Sequence, residues 1–298
     1  MELSLEMSVR GEAAEPAHIR AVARAAERVG FARLGYTDHP APSAKWLRSG
    51  GHPTYDPFAA LAHLAALTDR IGLMTYLAVL PYRNPFVLAK SVATVDRLSG
   101  GRLTLVAGTG YLRSEFAALG QDVAARNERF DEAVEVLRRV FVEDDLRLSG
   151  SDFEAHGVVC DPPPVQLPHP PIWVGGSSAA ARERVARYGA GWAPLMPSPE
   201  FAKVVKSAPI SSVAELADAV ADLHRRVAAA GRDPASIEVQ VQVPAFRLLA
   251  DSEDRLLTHL GELADAGVTG IVAPAPDGSA AKVAEAVEAL GSAVLPHI

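Results

Sequence analysis

The chain has 298 residues, of which 49% are hydrophobic and 22% charged, with a formal net charge of −7. An acidic balance with no basic stripe argues against nucleic acid as a partner. The apolar run "IGLMTYLAVL" (71–80) is too short to cross a bilayer, the N-terminus shows an early Glu and no signal-peptide h-region, and the single cysteine, Cys160, excludes an internal disulfide, so a cytoplasmic protein with one sizeable core is expected.

In chain order, "LSLEMSV" (3–9) reads as a strand and "PAHIRAVARAAERVG" (16–30) as a helix, with Pro16 in its first turn and Gly30 as its stop. "RLGYT" (33–37) is the next strand. A long loop over 40–55 leads to a helix over 56–69, capped by Asp56 with Pro57 just inside. Residues 71–79 form a buried strand, 84–100 a helix with Asn84 as cap, and "LTLVAGT" (103–109) a strand. A two-part helical stretch runs through "EFAAL" and "FDEAVEVLRRVFV". Residues 146–170 read as a hairpin with a proline-rich return. Strands over 171–176, 191–195, 237–246 and 270–276 then alternate with helices over 178–190, 212–231, 252–267 and 279–290.

About eight βα units in succession imply a parallel α/β sheet, and an eightfold repeat favours closure into a single (β/α)8 TIM barrel over residues 1–298. The competing open doubly wound sheet carries a Gly-rich turn after its first strand, and "RGEAAEP" is not that turn. The two interruptions, 40–55 and 146–170, are the insertions, and long loops in compact domains tend to be functional.

Barrel chemistry sits at the C-terminal strand ends, and the unusual residues collect there. Asp38 and His39 follow the second strand in "YTDHP", and Pro40 keeps them extended. Taken alone, the pair reads either as a turn cap beside a loop histidine or as a proton-exchanging site, since imidazole titrates near neutral pH. Trp46, in the 40–55 loop, is a candidate for stacking on a ligand or for folding onto the barrel rim. His52 is a candidate pocket wall, and Arg83 reaches either a phosphate or solvent. "AGTGYL" ends the fourth strand, and its glycines serve a tight turn or the approach of a flat ring. "WVGGSS" ends the fifth: Gly175 and Gly176 allow close backbone approach, Ser177 and Ser178 offer hydroxyls, the helix start offers free N–H groups to an anion, and Arg182 adds charge. A serine-capped turn is the plainer reading. No His-x-His, HExxH or Cys/His set is present, so no metal is expected. Any chemistry is therefore expected from an organic cofactor.

The segments "GFARLGYTDHP", "WLRSGGHPTYDPF", "LAVLPYRNPFVLAKSVATVDRLSGGRLTLVAGTGYLRSEFAALG" and "PPIWVGGSS" resemble the luciferase-like flavin-dependent oxidoreductases over nearly the whole chain, and more closely the branch using the deazaflavin coenzyme F420. The resemblance implies a (β/α)8 barrel and a cofactor ring at its C-terminal mouth, with a non-proline cis peptide at Tyr76–Leu77 pressing on that ring. It also implies Thr109 and Gly110 along the ring, and Gly175, Gly176 and Ser177, beside Ser178, at the cofactor phosphate. Asp38 and His39 match a cofactor-contacting pair beside the reacting carbon; an imidazole there is expected to act as acid/base or to stabilise the reduced, anionic ring, with Asp38 fixing its position or touching the cofactor. Where the sugar-phosphate dehydrogenases of that family carry a glutamate after the Gly-Thr-Gly turn, Tyr111 stands here, so another small organic substrate is expected, with Tyr111, Trp46 and His52 lining its pocket. An FMN-dependent monooxygenase of the same fold and a non-catalytic flavin-binding protein are the alternatives. Related barrels pair, so a homodimer through the helices over 56–69 and 84–99 is also implied.

Overall fold

A computed structural model describes residues 1–196, 210–243, 252–276 and 278–298. The elements are β1 (Glu2–Glu6), α1 (Pro16–Val29), β2 (Arg33–Tyr36), α2 (Ala44–Arg48), α3 (Pro57–Leu67), β3 (Gly72–Thr75), β4 (Ala78–Val79), α4 (Pro85–Leu98), β5 (Leu103–Gly108), α5 (Arg113–Ala118), α6 (Arg126–Arg139), β6 (Leu146–Gly150), β7 (Phe153–Val158), β8 (Ile172–Gly175), α7 (Ala179–Tyr188), β9 (Gly191–Ala193), α8 (Val213–Ala229), β10 (Glu238–Gln242), α9 (Glu253–Asp265), β11 (Gly270–Pro274) and α10 (Ala280–Val294). With β3 and β4 as halves of one interrupted strand, the fold is a (β/α)8 barrel.

The expected caps explain where the helices begin. The Asp56 carboxylate accepts from Ala59 N–H, the Asn84 amide oxygen from Phe86 and Val87 N–H, and the Ser178 hydroxyl from Ala181 N–H. Each satisfies donors that a helix start leaves open. Gly30 ends α1 in the left-handed region at φ 101°, which glycine enters without a Cβ penalty.

Contact density divides the chain into two compact units. The first comprises Met1–Gly35, Arg70–Gly72 and Ile172–Ile298. Within it β1 lies between β2 and β11, followed by β10, β9 and β8, all pairs parallel, with Leu3 opposite Ile271 and Val174 opposite Trp192. Buried on both faces, such strands read as apolar runs. Here α1 packs on α10 at Gly291, where a Cβ would come within 2.2 Å of the Val29 side chain. That contact requires glycine in a helix interior, where it is otherwise unfavourable by about 1 kcal/mol.

The second unit comprises Tyr36–Asp69 and Leu73–Pro171. Its β5 pairs in parallel with β3, Leu73 opposite Leu103, and with β4, Ala78 opposite Ala107. The 146–170 insertion is a β6–β7 antiparallel hairpin with a bulge at Leu146/Arg147. Its return is fastened to α4. Buried Asp96 accepts from the backbone N–H of Val165 (2.7 Å) and Gln166 (2.9 Å) and from the Gln166 amide (2.7 Å).

Three expectations need correction. The 40–55 segment contains α2, which Ser43 caps by accepting from Trp46 N–H; five residues are too few for a hydrophobic period to announce them. The strand expected over 71–79 breaks between β3 and β4, and the Tyr76–Leu77 peptide there is cis. The first strand ends at Glu6, not at residue 9. The expected strand over 237–246 is observed as β10, and its last three residues, 244–246, lie outside the described ones.

Candidate active site

In the second unit the segment after β2 turns its two titratable groups in different directions. Asp38 is buried, at 2% exposure. Its carboxylate accepts Val79 N–H (2.9 Å) and both ends of the Arg83 guanidinium, one of them at 2.9 Å. Arg83 also reaches Asp56 at 2.9 Å. Two-point contact with a planar fork is the strong form of such a pair. The expectation that Asp38 fixes the His39 ring is therefore overturned: Asp38 ties the β2 end to β4 and to Arg83. Arg83, expected at a phosphate or in solvent, is held between two carboxylates.

The partner of His39 is Glu115, at 3.0 Å from Nδ1 to Oε2. Glu115 lies on α5 and is fully buried. It also accepts Tyr82 O–H (2.9 Å) and Ala41 N–H (3.2 Å). Burial first, then the Glu115 charge, pushes the Tyr82 phenol well above its ordinary range. Sequence reasoning missed Glu115 because an acid in the first turn of a helix looks like a response to the helix dipole. The available signal was its place on the apolar stripe Leu112–Glu115–Phe116–Leu119.

The expected pocket residues gather around His39. Its ring centroid is 4.5 Å from Trp46, 5.1 Å from His52 edge-on and 6.2 Å from Tyr111 edge-on. Trp46 sits on α2 rather than in a loop, at 8% exposure. It is pressed by the following turn, since a Cβ on Gly51 would lie 2.4 Å from the indole. His52 Nε2 contacts the Thr37 hydroxyl at 3.0 Å. Burial, then the Glu115 charge, pushes the Tyr111 phenol upward as well.

Tyr76 N–H donates to the Tyr36 carbonyl, which seats the cis Tyr76–Leu77 unit beside the β2 end. The glycines at and just past the end of β5 answer to protein packing. A Cβ on Gly108 would lie 2.5 Å from Leu77, and one on Gly110, at φ 75°, would lie 2.6 Å from Val79. Thr109 between them is half-buried.

In the first unit, Gly175 ends β8 and Gly176 takes φ 103°, with no atom nearer than 4.0 Å to where its Cβ would stand. The serine hydroxyls, expected to be offered to a ligand, build the turn instead. Ser177 donates to the Leu195 carbonyl (2.7 Å) and accepts Leu195 N–H (3.1 Å), while Ser178 caps α7. Arg182, expected to add charge, pairs with Asp222 at 2.7 Å. What the turn retains for an anion is open space before Gly176 and the first N–H groups of α7, which have no intrahelical acceptor. That donor set fits a phosphate.

Also in the first unit, the Glu6 carboxyl at the end of β1 is pushed up to about 7 by burial, with the Gln242 amide as its partner. Nothing in "LSLEMSV" distinguished it from an outward-facing strand residue. An open cleft of about 530 Å³ lined by Arg10, Glu12, Ser279 and Lys282 carries none of the expected site residues. Among the described residues no group of three or more His, Cys, Asp or Glu could hold a metal ion, and no helix is long and apolar enough to cross a membrane.

His39 follows β2 and the Gly175–Ser178 turn follows β8, each at the C-terminal end of a barrel strand, where barrel enzymes carry their chemistry. The chain belongs to the luciferase-like monooxygenase family, whose model matches residues 3–292. It is 26% identical over 248 residues to the FMNH(2)-dependent dimethylsulfone monooxygenase of Pseudomonas putida, a match covering 82% of this chain and 61% of that protein; the chain thus spans about three fifths of that relative. Its fold matches monooxygenase RslO1 from Streptomyces bottropensis with a TM-score of 0.82 at 23% identity, over 100% and 99% of the two chains. It also matches the coenzyme F420 dependent tetrahydromethanopterin reductase from Methanopyrus kandleri with a TM-score of 0.74 at 17% identity, over 99% of each. Family members are oxidoreductases and monooxygenases; the Pseudomonas putida relative is FMNH(2)-dependent and the Methanopyrus kandleri reductase is F420-dependent.

Proposed function

We propose that this protein is an F420-dependent oxidoreductase that moves a hydride between the deazaflavin and a small organic substrate, acting as a cytoplasmic homodimer. The observation that carries the reading is His39: an imidazole set after β2, boxed by Trp46, His52 and Tyr111, with one nitrogen committed to a buried carboxylate. When bound, the cofactor supplies the hydride-accepting or hydride-donating carbon. Hydride transfer at a carbonyl or alcohol needs a proton partner, and His39 is that acid/base. In the first unit, the Gly175–Ser178 backbone holds the cofactor phosphate. In the second, Tyr76, Leu77, Thr109 and Gly110 line the ring, and Trp46, His52 and Tyr111 form the substrate wall. Asp38 supports this segment through Arg83 and Val79.

The second reading, an FMN-dependent monooxygenase, is favoured by the FMNH(2)-dependent Pseudomonas putida relative. Fluorescence titration of the apoprotein with F420 and with FMN separates the two, and tighter F420 binding is expected. With F420 saturating, His39→Ala should slow the hydride step about 10²-fold or more in single-turnover kinetics and leave cofactor affinity nearly intact. A loss confined to affinity would reduce His39 to a binding residue.

A further inference from the structure

We infer that Glu115 is a positioning residue that holds His39 in the Nδ1–H tautomer, so that Nε2 is the atom that exchanges the proton. The inference deepens, and its catalytic consequence rests on, the reading of His39 as the acid/base. Oε1 of Glu115 faces Ala41 N–H at 3.2 Å, and a backbone amide can only donate. Oε2 faces Tyr82 O–H at 2.9 Å. That phenol, buried and beside the Glu115 charge, keeps its proton and donates it. Oε2 also lies 3.0 Å from His39 Nδ1. An ionised carboxylate accepts and never donates, so this third contact is a hydrogen bond only when Nδ1 carries the hydrogen. The opposite tautomer would aim a nitrogen lone pair at a buried anion, at a site where unpaired polar groups are costly.

The ring has little freedom to escape this arrangement. Trp46 lies against it at 4.5 Å, with His52 and Tyr111 edge-on at 5.1 and 6.2 Å. The titratable groups facing Glu115 are His39 from the segment after β2, Tyr82 from the turn before α4, and Tyr111 from the segment after β5. The nearby guanidinium of Arg83 is engaged by Asp38 and Asp56. Protonating His39 at Nε2 therefore supplies the cation that Glu115 pairs with. The carboxylate selects the tautomer and stabilises the imidazolium that proton uptake creates.

The test uses ¹⁵N-labelled full-length protein without cofactor and reads both imidazole nitrogens of His39 by long-range ¹H–¹⁵N correlation. Wild type should show Nδ1 protonated and Nε2 free above the imidazole pKa; the reverse pattern overturns the inference. Glu115→Gln carries the sharper expectation. Its carbonyl must stay on Ala41 N–H, which turns its NH₂ toward Nδ1, so the tautomer should switch to Nε2–H. A folded Glu115→Gln protein that keeps Nδ1–H overturns the inference as well. Tyr82→Phe removes one donor and should leave the tautomer unchanged. If Glu115→Gln does not fold, the wild-type spectrum decides alone. With F420 saturating, Glu115→Gln should slow the hydride step about 10²-fold with cofactor affinity retained. A His39→Ala enzyme with an intact hydride step would remove the acid/base reading, whereas the tautomer measurement stands independently of it.

Discussion

Asp38, Glu115 and Glu6 are three carboxyl groups with three different partners, and the partners set what each can do. Asp38 is clamped by a guanidinium and a backbone N–H, Glu115 takes up three donors, and Glu6, among the described residues, is held by the Gln242 amide. Glu6 consequently keeps its proton up to about pH 7 in the folded chain, against an ordinary value of 4.5. Below pH 4.5 both states hold the proton and folding carries no penalty. Between 4.5 and about 7 the unfolded chain releases it while the folded chain does not, so stability falls as pH rises, and above that range the loss is complete. The loss is on the order of a few kcal/mol. In urea titrations, the unfolding midpoint of wild type should drop between pH 5 and pH 8 more than that of Glu6→Gln; parallel behaviour would show that Glu6 titrates normally. At this scale the sequence was legible where a side chain is unusual for its place. His39, Trp46 and His52 stood out as titratable or aromatic residues beyond strand ends, Tyr111 only through family resemblance, and they meet. Glu115 and Glu6 did not stand out, because an acid on a short helix or at a strand end is ordinary until its burial is known.

At the scale of elements, the helix starts were legible because caps are local chemistry: Asp56, Asn84 and Ser178 each bond an N–H two or three residues on. The break between β3 and β4 was not visible in hydrophobic pattern, since 71–80 is one apolar run; its position came from family resemblance alone. The turn from β8 into α7 shows the division between shape and binding. Its serine hydroxyls hold the turn, and the proposed binding role falls to its backbone. Gly176 sits at φ 103° with open space ahead of it. In Gly176→Val a β-branched side chain would stand in that space and would strain a left-handed backbone. Cofactor affinity should fall at least tenfold, with the far-ultraviolet circular dichroism retained. Unchanged affinity in a folded variant would remove the phosphate-binding role from this turn.

At the scale of the whole molecule, the proposed homodimer needs an apolar face that the barrel does not itself cover, and the second unit carries one. Val87 and Leu98 on α4 are 62% and 61% exposed, and their spacing of eleven residues returns them to one side of a helix. The proline-rich return runs beside them: Lys90 donates to the Asp161 carbonyl and Arg97 to that of Pro163, and Leu167 on that return is 63% exposed. None of the large exposed apolar side chains among the described residues lies on α3. This narrows the shared face from the two helices over 56–69 and 84–99 to α4 and the return beside it. Exposed apolar residues gathered on one element mark association sites more often than scattered ones do. Light scattering at micromolar concentration should report a dimer for wild type. Leu98→Lys combined with Leu167→Lys should shift it to monomer with the fold intact, because burying two unpaired ammonium groups is unfavourable. A wild-type monomer overturns the dimer itself. A double variant that remains dimeric places the interface away from α4, and the exposed leucines would then be ordinary surface residues.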